Sequence, residues 1–311
     1  MELIRGAHNL RPRHRGCVAT IGNFDGVHRG HARLLARARE RAASLGVPAC
    51  VVTFEPHSKE FFAPDRAPAR LTDLRGKLTV LREHGIDRVL VLPFNRALAS
   101  LPPETFIERI LVEGLGVRHV VVGHDFVFGR GAKGSIDDLR RCGERFGFEA
   151  EEIPEYREAG RVVGSTAIRE ALAAGDLAEA ERLLGRPFSL CGRVVHGDRI
   201  GHDLGFPTLN LHLHHRRLPV GGVFAGRVSG GGLQGHPAAV SIGNRPAFKG
   251  LDVRVEAHLL DFEGNLYGAR VELALDRLLR AEWDFPDIES LKDQIAEDVR
   301  QTRAYYGLRT E

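Results

Sequence analysis

The sequence predicts an α/β protein of two domains: a parallel sheet with helices on both faces, then a small antiparallel β-barrel with a terminal helix. Its 311 residues exceed what one hydrophobic core usually fills. The N-terminal half alternates short β-rich runs with amphipathic helical stretches, the pattern that builds parallel sheets. Beyond residue 186 glycine becomes frequent, and short alternating runs are divided by turns, as is typical of small barrels. We therefore expect domains 1–185 and 186–311.

Five β-rich runs predict the strands of the N-terminal sheet, and the amphipathic stretches between them predict its helices. Ligands in such sheets bind beyond the carboxyl ends of the strands, so functional residues should follow the strands. Residues 165–184 predict two short helices separated at Gly175-Asp176, with Ser165 as the N-cap of the first. The predicted strands are Cys17–Ile21, Ala49–Phe54, Arg88–Leu92, His119–Val122 and Phe148–Ile153, and the predicted helices are Gly30–Leu45, Asp73–His84, Glu104–Glu113 and Ile136–Phe146.

Six further runs predict the strands of the barrel. A polar amphipathic stretch at Ile288–Tyr306 predicts the terminal helix. The predicted barrel strands are Leu190–Val195, Thr208–Leu213, Gly222–Val228, Ala238–Ile242, Val253–Leu260 and Tyr267–Leu275.

Composition places the chain among soluble globular proteins. Hydrophobic residues make up 43% and charged residues 27% of it, and no apolar run approaches the roughly 20 residues of a membrane span. The first 15 residues are basic and lack an apolar core, so we expect no secretory signal, no membrane association and a cytoplasmic location. A net charge of +3 is too small to indicate nucleic-acid binding. The four cysteines are scattered without a CxxC pair, which argues against a zinc or disulfide framework.

The strongest local motif is the segment Gly22–His31, which joins the first predicted strand to the first long helix. Free N–H groups and the positive dipole end at a helix N-terminus attract phosphate, and glycines let the backbone approach a nucleotide closely. His28 and His31 are three residues apart and therefore share a face on a helical turn. We expect their imidazoles to donate hydrogen bonds to one phosphate chain.

A second motif, Gly205–Asn210, follows the glycine-containing loop His196–Gly201. Thr208 and Asn210 are two residues apart, so on a strand their side chains point to the same side. A hydroxyl and an amide oxygen are hard ligands that suit Mg²⁺, which usually also takes water and a substrate phosphate. Such a spacing means little by itself, but beside the glycine-containing loop Pro207–Asn210 resembles the Pro-Thr-x-Asn motif of riboflavin kinases. This resemblance implies a magnesium site at Thr208 and Asn210.

The HxGH pattern at residues 28–31 is that of a superfamily of nucleotidyl-transferring domains. In that superfamily a Ser/Thr-rich helix start, with an arginine one turn later, completes the site, and Ser165, Thr166 and Arg169 match it here. Over nearly its whole length the chain resembles the bacterial bifunctional riboflavin kinase/FMN adenylyltransferases, or FAD synthetases. The other segments that carry the resemblance are 53–57, 92–95, 122–129, 218–219, 222–225, 241–246, 255–262 and 266–268.

The resemblance implies a Rossmann-like nucleotidyltransferase domain and a riboflavin-kinase barrel. With ATP and Mg²⁺, the barrel would phosphorylate riboflavin to FMN, and the first domain would transfer an adenylyl group to FMN, giving FAD and pyrophosphate. Because riboflavin attacks through a neutral hydroxyl, a carboxylate base is useful there, whereas the phosphate of FMN is already anionic and needs donors and cations instead.

The same resemblance assigns the site residues of both reactions. In the kinase, Glu256 is the general base and Thr208 and Asn210 hold the metal. In adenylyl transfer, the catalytic residues are His28, His31 and Arg169. The remaining assignments are ATP contacts at Gly22, Asn23, Phe24, Asp25, Gly30, Ser165, Thr166, Gly197, Gly205 and Pro207, and flavin contacts at Phe62, Asp125 and Phe128.

Three alternatives stay open at this point, as does the oligomeric state. The first is a fragment of a class I aminoacyl-tRNA synthetase, although the chain is short and lacks a KMSKS-like segment. The second is a flavin- or nucleotide-binding regulator without turnover, which should have lost Glu256, Asn210 or Arg169. The third is an enzyme with only one of the two activities.

Other patterns in the sequence are not interpreted as sites. The GxGxxG match at Gly129–Gly134 is not in the first strand-to-helix turn, and Ser135 replaces the lysine of a P-loop. His212, His214 and His215 alternate with leucines as on an exposed strand face, so no metal site is expected there. His202 stands where the family's glycine loop usually has arginine, which is expected to raise the KM of the kinase.

Overall fold

The computed structural model of the protein describes residues 1–197, 201, 204–213, 217–247 and 250–309. The chain divides into two compact units, one formed by Met1–Pro68 with Leu74–Gly164 and the other by Ala69–Asp73 with Ser165–Glu311. Residues 165–184 thus pack with the second unit, whereas the boundary expected from the sequence follows residue 185 and stays a prediction. Within the described ranges, no helix combines the length and the apolar character that crossing a bilayer requires.

A parallel sheet of six strands forms the centre of the first unit. The strands are β1 (Glu2–Arg5), β2 (Cys17–Ile21), β3 (Ala49–Glu55), β4 (Arg88–Pro93), β5 (Val117–Gly123) and β6 (Glu149–Ile153). Their order across the sheet is β1-β4-β3-β2-β5-β6. Starting at β2, the chain adds β3 and β4 on one side and β5 and β6 on the other, so the direction of addition reverses between β2 and β5. Ligands of open parallel sheets bind at such a reversal, beyond the carboxyl ends of the strands.

Helices cover both faces of this sheet. They are α1 (Arg29–Leu45), α2 (Ser58–Phe62), α3 (Leu74–Glu83), α4 (Arg96–Ala99), α5 (Pro103–Phe106), a π-helix (Ile107–Gly114) and α6 (Ile136–Phe146). Alternate residues of β2 point to opposite faces. Val18 packs in one core cluster with Leu35 of α1 and Leu81 of α3. Its neighbour Ala19 packs in the other cluster with Leu111 of the π-helix.

The second unit contains two short helices, a closed antiparallel barrel and a terminal helix. The elements of this unit are α7 (Ser165–Ala173), α8 (Leu177–Leu184), β9 (Ser189–Val195), β10 (Leu209–His212), β11 (Gly222–Gly230), β12 (Leu233–Ala247), β13 (Gly250–Leu259), β14 (Arg270–Arg280) and α9 (Ile288–Tyr305). The strand order in the barrel is β10-β13-β12-β11-β14-β9, and the terminal helix α9 packs against β11 and β12. A hairpin in the first unit supplies β7 (Arg157–Glu158) and β8 (Arg161–Val162).

A buried ion pair fastens α9 to the barrel. Arg280, at the end of β14, donates through its Nη2 to the Asp298 carboxylate at 2.7 Å, and through its Nε at 2.9 Å. The two side chains are only 13% and 6% exposed. Gln294 Nε2, one turn earlier on α9, donates to the same carboxylate at 3.0 Å. This network satisfies the charges that the packing of α9 removes from water.

The predicted fold class is confirmed, and several elements differ in detail. β1 was not predicted, nor was the hairpin of β7 and β8. The helix expected at Glu104–Glu113 forms as α5 followed by the π-helix. β12 and β14 are longer than expected, and Tyr267, expected in the last barrel strand, precedes β14. Thr208, expected within its strand, lies one residue before β10.

Candidate active sites

The loop between β2 and α1 carries the predicted phosphate-binding motif, and its backbone is unusual. Phe24, Gly26 and Val27 have φ angles of 49°, 82° and 41°, in the left-handed region that residues other than glycine rarely adopt. The side chains of Phe24 and Val27 are buried in the core, with 0% and 1% exposure. Hydrophobic burial thus holds a strained turn at the carboxyl end of a central strand.

His28 and His31 share a face, as their spacing predicts. His28 is the N-cap of α1, and its Nδ1 accepts the backbone N–H of His31 at 3.3 Å. The two rings stack with centroids 3.7 Å apart and an interplanar angle of 20°. His28 is 6% exposed. Since its Nδ1 is an acceptor, its Nε2 carries the hydrogen when the ring is neutral.

Buried polar groups hold the same loop at Asn23. Its backbone carbonyl accepts hydrogen bonds from Lys77 Nζ of α3 at 2.7 Å and from the Thr53 hydroxyl of β3 at 3.3 Å. Its side-chain Nδ2 donates to the hydroxyl of Ser58, the first residue of α2, at 3.3 Å. Asn23 Oδ1 is buried and has no hydrogen-bond partner in the described part of the chain. The loop thus contains a buried acceptor that no donor among the described residues satisfies.

The glycines of the motif are close to other atoms of the site. A Cβ at Gly30 would lie 3.0 Å from the Val163 carbonyl oxygen and 3.1 Å from the His28 ring. A Cβ at Gly22 would lie 3.3 Å from the Phe24 ring. All three distances are shorter than ordinary van der Waals contact, so glycine lets the start of the helix approach its surroundings closely. Asp25, also predicted to contact ATP, is buried, with 4% exposure.

The carboxyl end of β5 lies next to the carboxyl end of β2, where the Gly22–His31 loop begins. Asp125, predicted to contact flavin, follows β5 by two residues and is exposed. The preceding His124 bonds through Nδ1 to Glu152 of β6 at 2.6 Å. Because β5 pairs with β2, Asp125 lies at the strand reversal, on the side opposite β3. The position agrees with the general rule for ligands of parallel sheets.

Two aromatic residues predicted to contact flavin have different surroundings. Phe62, at the end of α2, is 67% exposed and forms an edge contact with Phe94, with centroids 5.6 Å apart. Phe128 is 7% exposed and packs between Phe106, at 5.6 Å, and Phe126, at 5.3 Å. Phe62 therefore has a ring surface available to a ligand, whereas the Phe128 ring is part of the core. Both flavin contacts stay predictions.

The third adenylyl-transfer segment lies in the second unit. α7 begins at Ser165, so Ser165 and Thr166 occupy its first turn. Arg169, one turn later, donates through Nε to the carbonyl of Ala69 at 2.6 Å. This hydrogen bond restrains the Nε end of the Arg169 guanidinium group.

In the barrel, the predicted kinase residues are brought together. Asn210 of β10 is the register partner of Glu256 on β13, and directly opposite residues of antiparallel strands project from the same face. The hydroxyl of Thr208 lies 3.5 Å from Glu256 Oε2. Arg254, on the same face of β13, donates through Nη1 to Glu256 Oε1 at 3.3 Å. A hydroxyl, an amide and a carboxylate thus converge, the oxygen chemistry that suits a magnesium ion.

Glycines and a histidine complete the walls of this second site. A Cβ at Gly197 would collide with the Asn210 side chain, and one at Gly201 would lie 3.3 Å from the Thr208 hydroxyl oxygen. Gly205 has a φ of 90°, which favours glycine. His258 bonds through Nδ1 to the carbonyl of Pro207 at 2.8 Å. The chain entering β10 is therefore held against β13.

Several residues of both sites were not predicted from the sequence. Lys77 interrupts the apolar face of α3 between Leu74 and Leu81, and this interruption is the signal that could have indicated its burial. Arg254 and His258 alternate with Val255 and Ala257 in the strand pattern around Glu256, which gives no hint of a role. The predictions that fall on His202, His214, His215 and residues 198–200 lie outside the described residues. His212 is exposed and Leu211 buried, as the predicted alternation requires.

Two protein-family models match the chain. One is described as FAD synthetase and matches residues 10–167, and the other is described as riboflavin kinase and matches residues 184–306. The first range contains the Gly22–His31 motif and Ser165. The second contains Thr208, Asn210 and Glu256. The two matches thus correspond to the two candidate sites, apart from Arg169, which lies just beyond the first range.

Full-length relatives carry both descriptions in one name. A bifunctional riboflavin kinase/FMN adenylyltransferase from Pseudomonas fluorescens is 51% identical over 305 residues, which cover 98% of this chain and 97% of the relative. The protein of the same name from Escherichia coli (strain K12) is 45% identical over 309 residues, 99% of each chain. A crystal structure described as a macrolide-efflux protein from Streptococcus pneumoniae is 28% identical, with a TM-score of 0.81 and coverage of 97% of this chain and 99% of its own.

Proposed function

The chain belongs to the bifunctional riboflavin kinase/FMN adenylyltransferase family, and we propose that its two candidate sites divide the two reactions between them. The barrel phosphorylates riboflavin with ATP and gives FMN. The site at the carboxyl edge of the parallel sheet then transfers the adenylyl group of a second ATP to FMN, giving FAD and pyrophosphate. The enzyme acts on small molecules in the cytoplasm, and neither nucleic acid nor a membrane takes part.

In the kinase reaction, Glu256 is the general base. Its carboxylate accepts the proton of the primary hydroxyl of riboflavin as that oxygen attacks the γ-phosphorus of ATP and the bond to ADP breaks. The hydrogen bond from Arg254 restrains one carboxylate oxygen, and the Thr208 hydroxyl lies beside the other. The carboxylate is thereby oriented before the substrate arrives, which reduces the reorganisation needed at the reacting atoms.

Thr208 and Asn210 would hold a magnesium ion in this site. Bound there together with ATP, the metal would offset charge on the transferred phosphoryl group. Gly197 closely approaches the Asn210 side chain and Gly201 closely approaches Thr208, so these two glycines lie next to both candidate ligands. Their lack of a side chain leaves room for a nucleotide to approach the backbone.

In adenylyl transfer, the nucleophile is a phosphate oxygen of FMN and needs no base. It attacks the α-phosphorus of ATP, and the bond between that phosphorus and the pyrophosphate oxygen breaks. The difficulty is to bring two anions together, so hydrogen-bond donors and positive charge are the useful groups. His28 and His31 supply imidazole donors, the first turn of α1 supplies N–H groups, and Arg169 supplies a guanidinium.

The observation that carries the proposal is that one chain holds the stacked His28–His31 pair at a helix N-terminus and the Thr208–Glu256 pair in a barrel. The test is to incubate the purified protein with riboflavin, ATP and Mg²⁺ and to separate the flavins by chromatography over time. We expect FMN first and FAD later. FMN without FAD would contradict the assignment of the first site, and supplied FMN converted to FAD without any turnover of riboflavin would contradict that of the barrel.

A further inference from the structure

Lys77 is a buried lysine in the first unit to which neither reaction scheme assigns a role. It is 4% exposed, although lysine is among the side chains least often buried. It also lies in the first turn of α3, which begins at Leu74, and a positive charge near a helix N-terminus opposes the helix dipole. Both terms cost stability, so the favourable interactions of this ammonium group must come from its surroundings.

One partner of the ammonium group is the phosphate-binding loop itself. Lys77 Nζ donates to the Asn23 carbonyl at 2.7 Å, a short charge-assisted hydrogen bond. Asn23 directly precedes Phe24, the first residue of the loop with a left-handed backbone. A contact at this point restrains the loop where it leaves β2, five residues before His28.

We propose that Lys77 is a positioning residue for adenylyl transfer: through its hydrogen bond to the Asn23 carbonyl it holds the Asn23–His28 loop in the conformation that binds ATP. The inference rests on the proposed function of this site. A loop that is already held in place before ATP binds has less conformational freedom to lose on binding, which favours the bound state. The ligand of this loop is the polyphosphate of ATP.

The closing experiment compares Lys77→Met, which removes donor and charge, with Lys77→Gln, which keeps a donor but not the charge. The readouts are kcat and the KM for ATP in the conversion of supplied FMN to FAD. For Lys77→Met we expect kcat/KM for ATP to fall by roughly 10- to 100-fold, the usual effect of losing a hydrogen bond to a charged group, mostly through KM. Lys77→Gln should be intermediate. Phosphorylation of riboflavin by the same samples should stay at the wild-type rate.

Arg82→Met is the matched control, because Arg82 is an exposed cation on the same helix; it should leave both reactions unchanged. A folded Lys77→Met protein with wild-type kcat and KM for FAD formation would overturn the inference. If neither Lys77 variant folds, Thr53→Val removes the other donor to the Asn23 carbonyl, and an unchanged KM for ATP in that variant would overturn it instead. Wild-type protein that makes no FAD would contradict the proposed function rather than the role of Lys77.

Discussion

Glu256 and Asn210 are directly opposite each other on β13 and β10. The antiparallel register therefore places the candidate base and a candidate metal ligand on one face of the barrel, while Thr208 brings its hydroxyl to 3.5 Å from the same carboxylate. The pairing of the two strands fixes the positions of the three groups. A side-chain substitution that leaves this pairing intact therefore tests the chemistry of one group alone.

Glu256→Gln should abolish most kinase activity and leave adenylyl transfer intact. The amide keeps the shape of the side chain but cannot accept the proton of riboflavin, so FMN formation should fall by about 10²- to 10⁴-fold, the range for loss of a general base. The measurement is the initial rate of FMN production from riboflavin, beside the rate of FAD production from supplied FMN. Glu263→Gln, an exposed carboxylate in the turn after β13, is the control. A Glu256→Gln enzyme within threefold of wild type would rule out the assigned base.

Substitutions at His28 should separate catalysis from helix capping. His28→Asn retains a side-chain acceptor for the His31 N–H, so the melting temperature should be close to that of the wild type while FAD formation falls by about 10²- to 10³-fold. His28→Ala should lose the same activity and also about 1 kcal/mol of stability, since the N-cap is removed. Calorimetry and FMN-to-FAD assays provide the two readouts. Equal melting temperatures for the two variants would argue against the capping role.

Asp298→Ala should destabilise the second unit severely. Removing the carboxylate leaves the buried Arg280 guanidinium unpaired, which costs about 3–5 kcal/mol in comparable buried pairs. Urea denaturation can be monitored through the fluorescence of Trp283, whose ring centroid lies 5.2 Å from the Arg280 guanidinium carbon and which therefore reports on this unit. Asp293→Ala, an exposed carboxylate on the same helix, should change the midpoint little. Equal midpoints for the two variants would show that the ion pair contributes no net stability.

The acid stability of the first unit should depend on Glu151. Burial raises the pKa of this carboxyl, but hydrogen bonds from Arg37 and Arg41 outweigh burial and lower the pKa to about 2 from 4.5. Because the folded pKa lies below the unfolded one, the contribution to stability is complete above pH 4.5 and is lost as the pH falls towards 2. Glu151→Gln should therefore lower the melting temperature at pH 6 and flatten its decline between pH 4.5 and 2. Glu144→Gln, exposed on α6, should behave like the wild type.

The sequence was sufficient where function depends on short local spacing. The interval between His28 and His31 and the position of the motif after β2 correctly predicted two rings on one face. Thr208 was expected on one strand with Asn210 but precedes β10 by one residue, and the role of the two as metal ligands stays a prediction. The alternation of strand and helix patterns also predicted the parallel sheet, and the short runs divided by turns predicted the barrel. These features depend on residues close together in the chain, so no knowledge of the tertiary structure was required.

The features that were missed depend on distant partners. β1 has only four residues, with charged Glu2 and Arg5 at its ends, and becomes a strand because it pairs with β4, more than 80 residues later. The left-handed backbone of Phe24 is stable only because its ring is buried by the surrounding core. Lys77 likewise donates its hydrogen bond to Asn23, which is 54 residues away in the chain. No local propensity carries such information.

The strand order of the first unit also affects how this protein behaves at high concentration. The sheet ends at β1 on one side and at β6 on the other, and an outer strand with free backbone groups is a template for aggregation. β6 carries Glu149, Glu151 and Glu152 within five residues, and β1 is too short to recruit a long partner. Glu149 is the most exposed of these carboxylates, with 80% of its side chain in contact with solvent, and a charged side chain on an edge strand opposes pairing with the sheet of a second molecule.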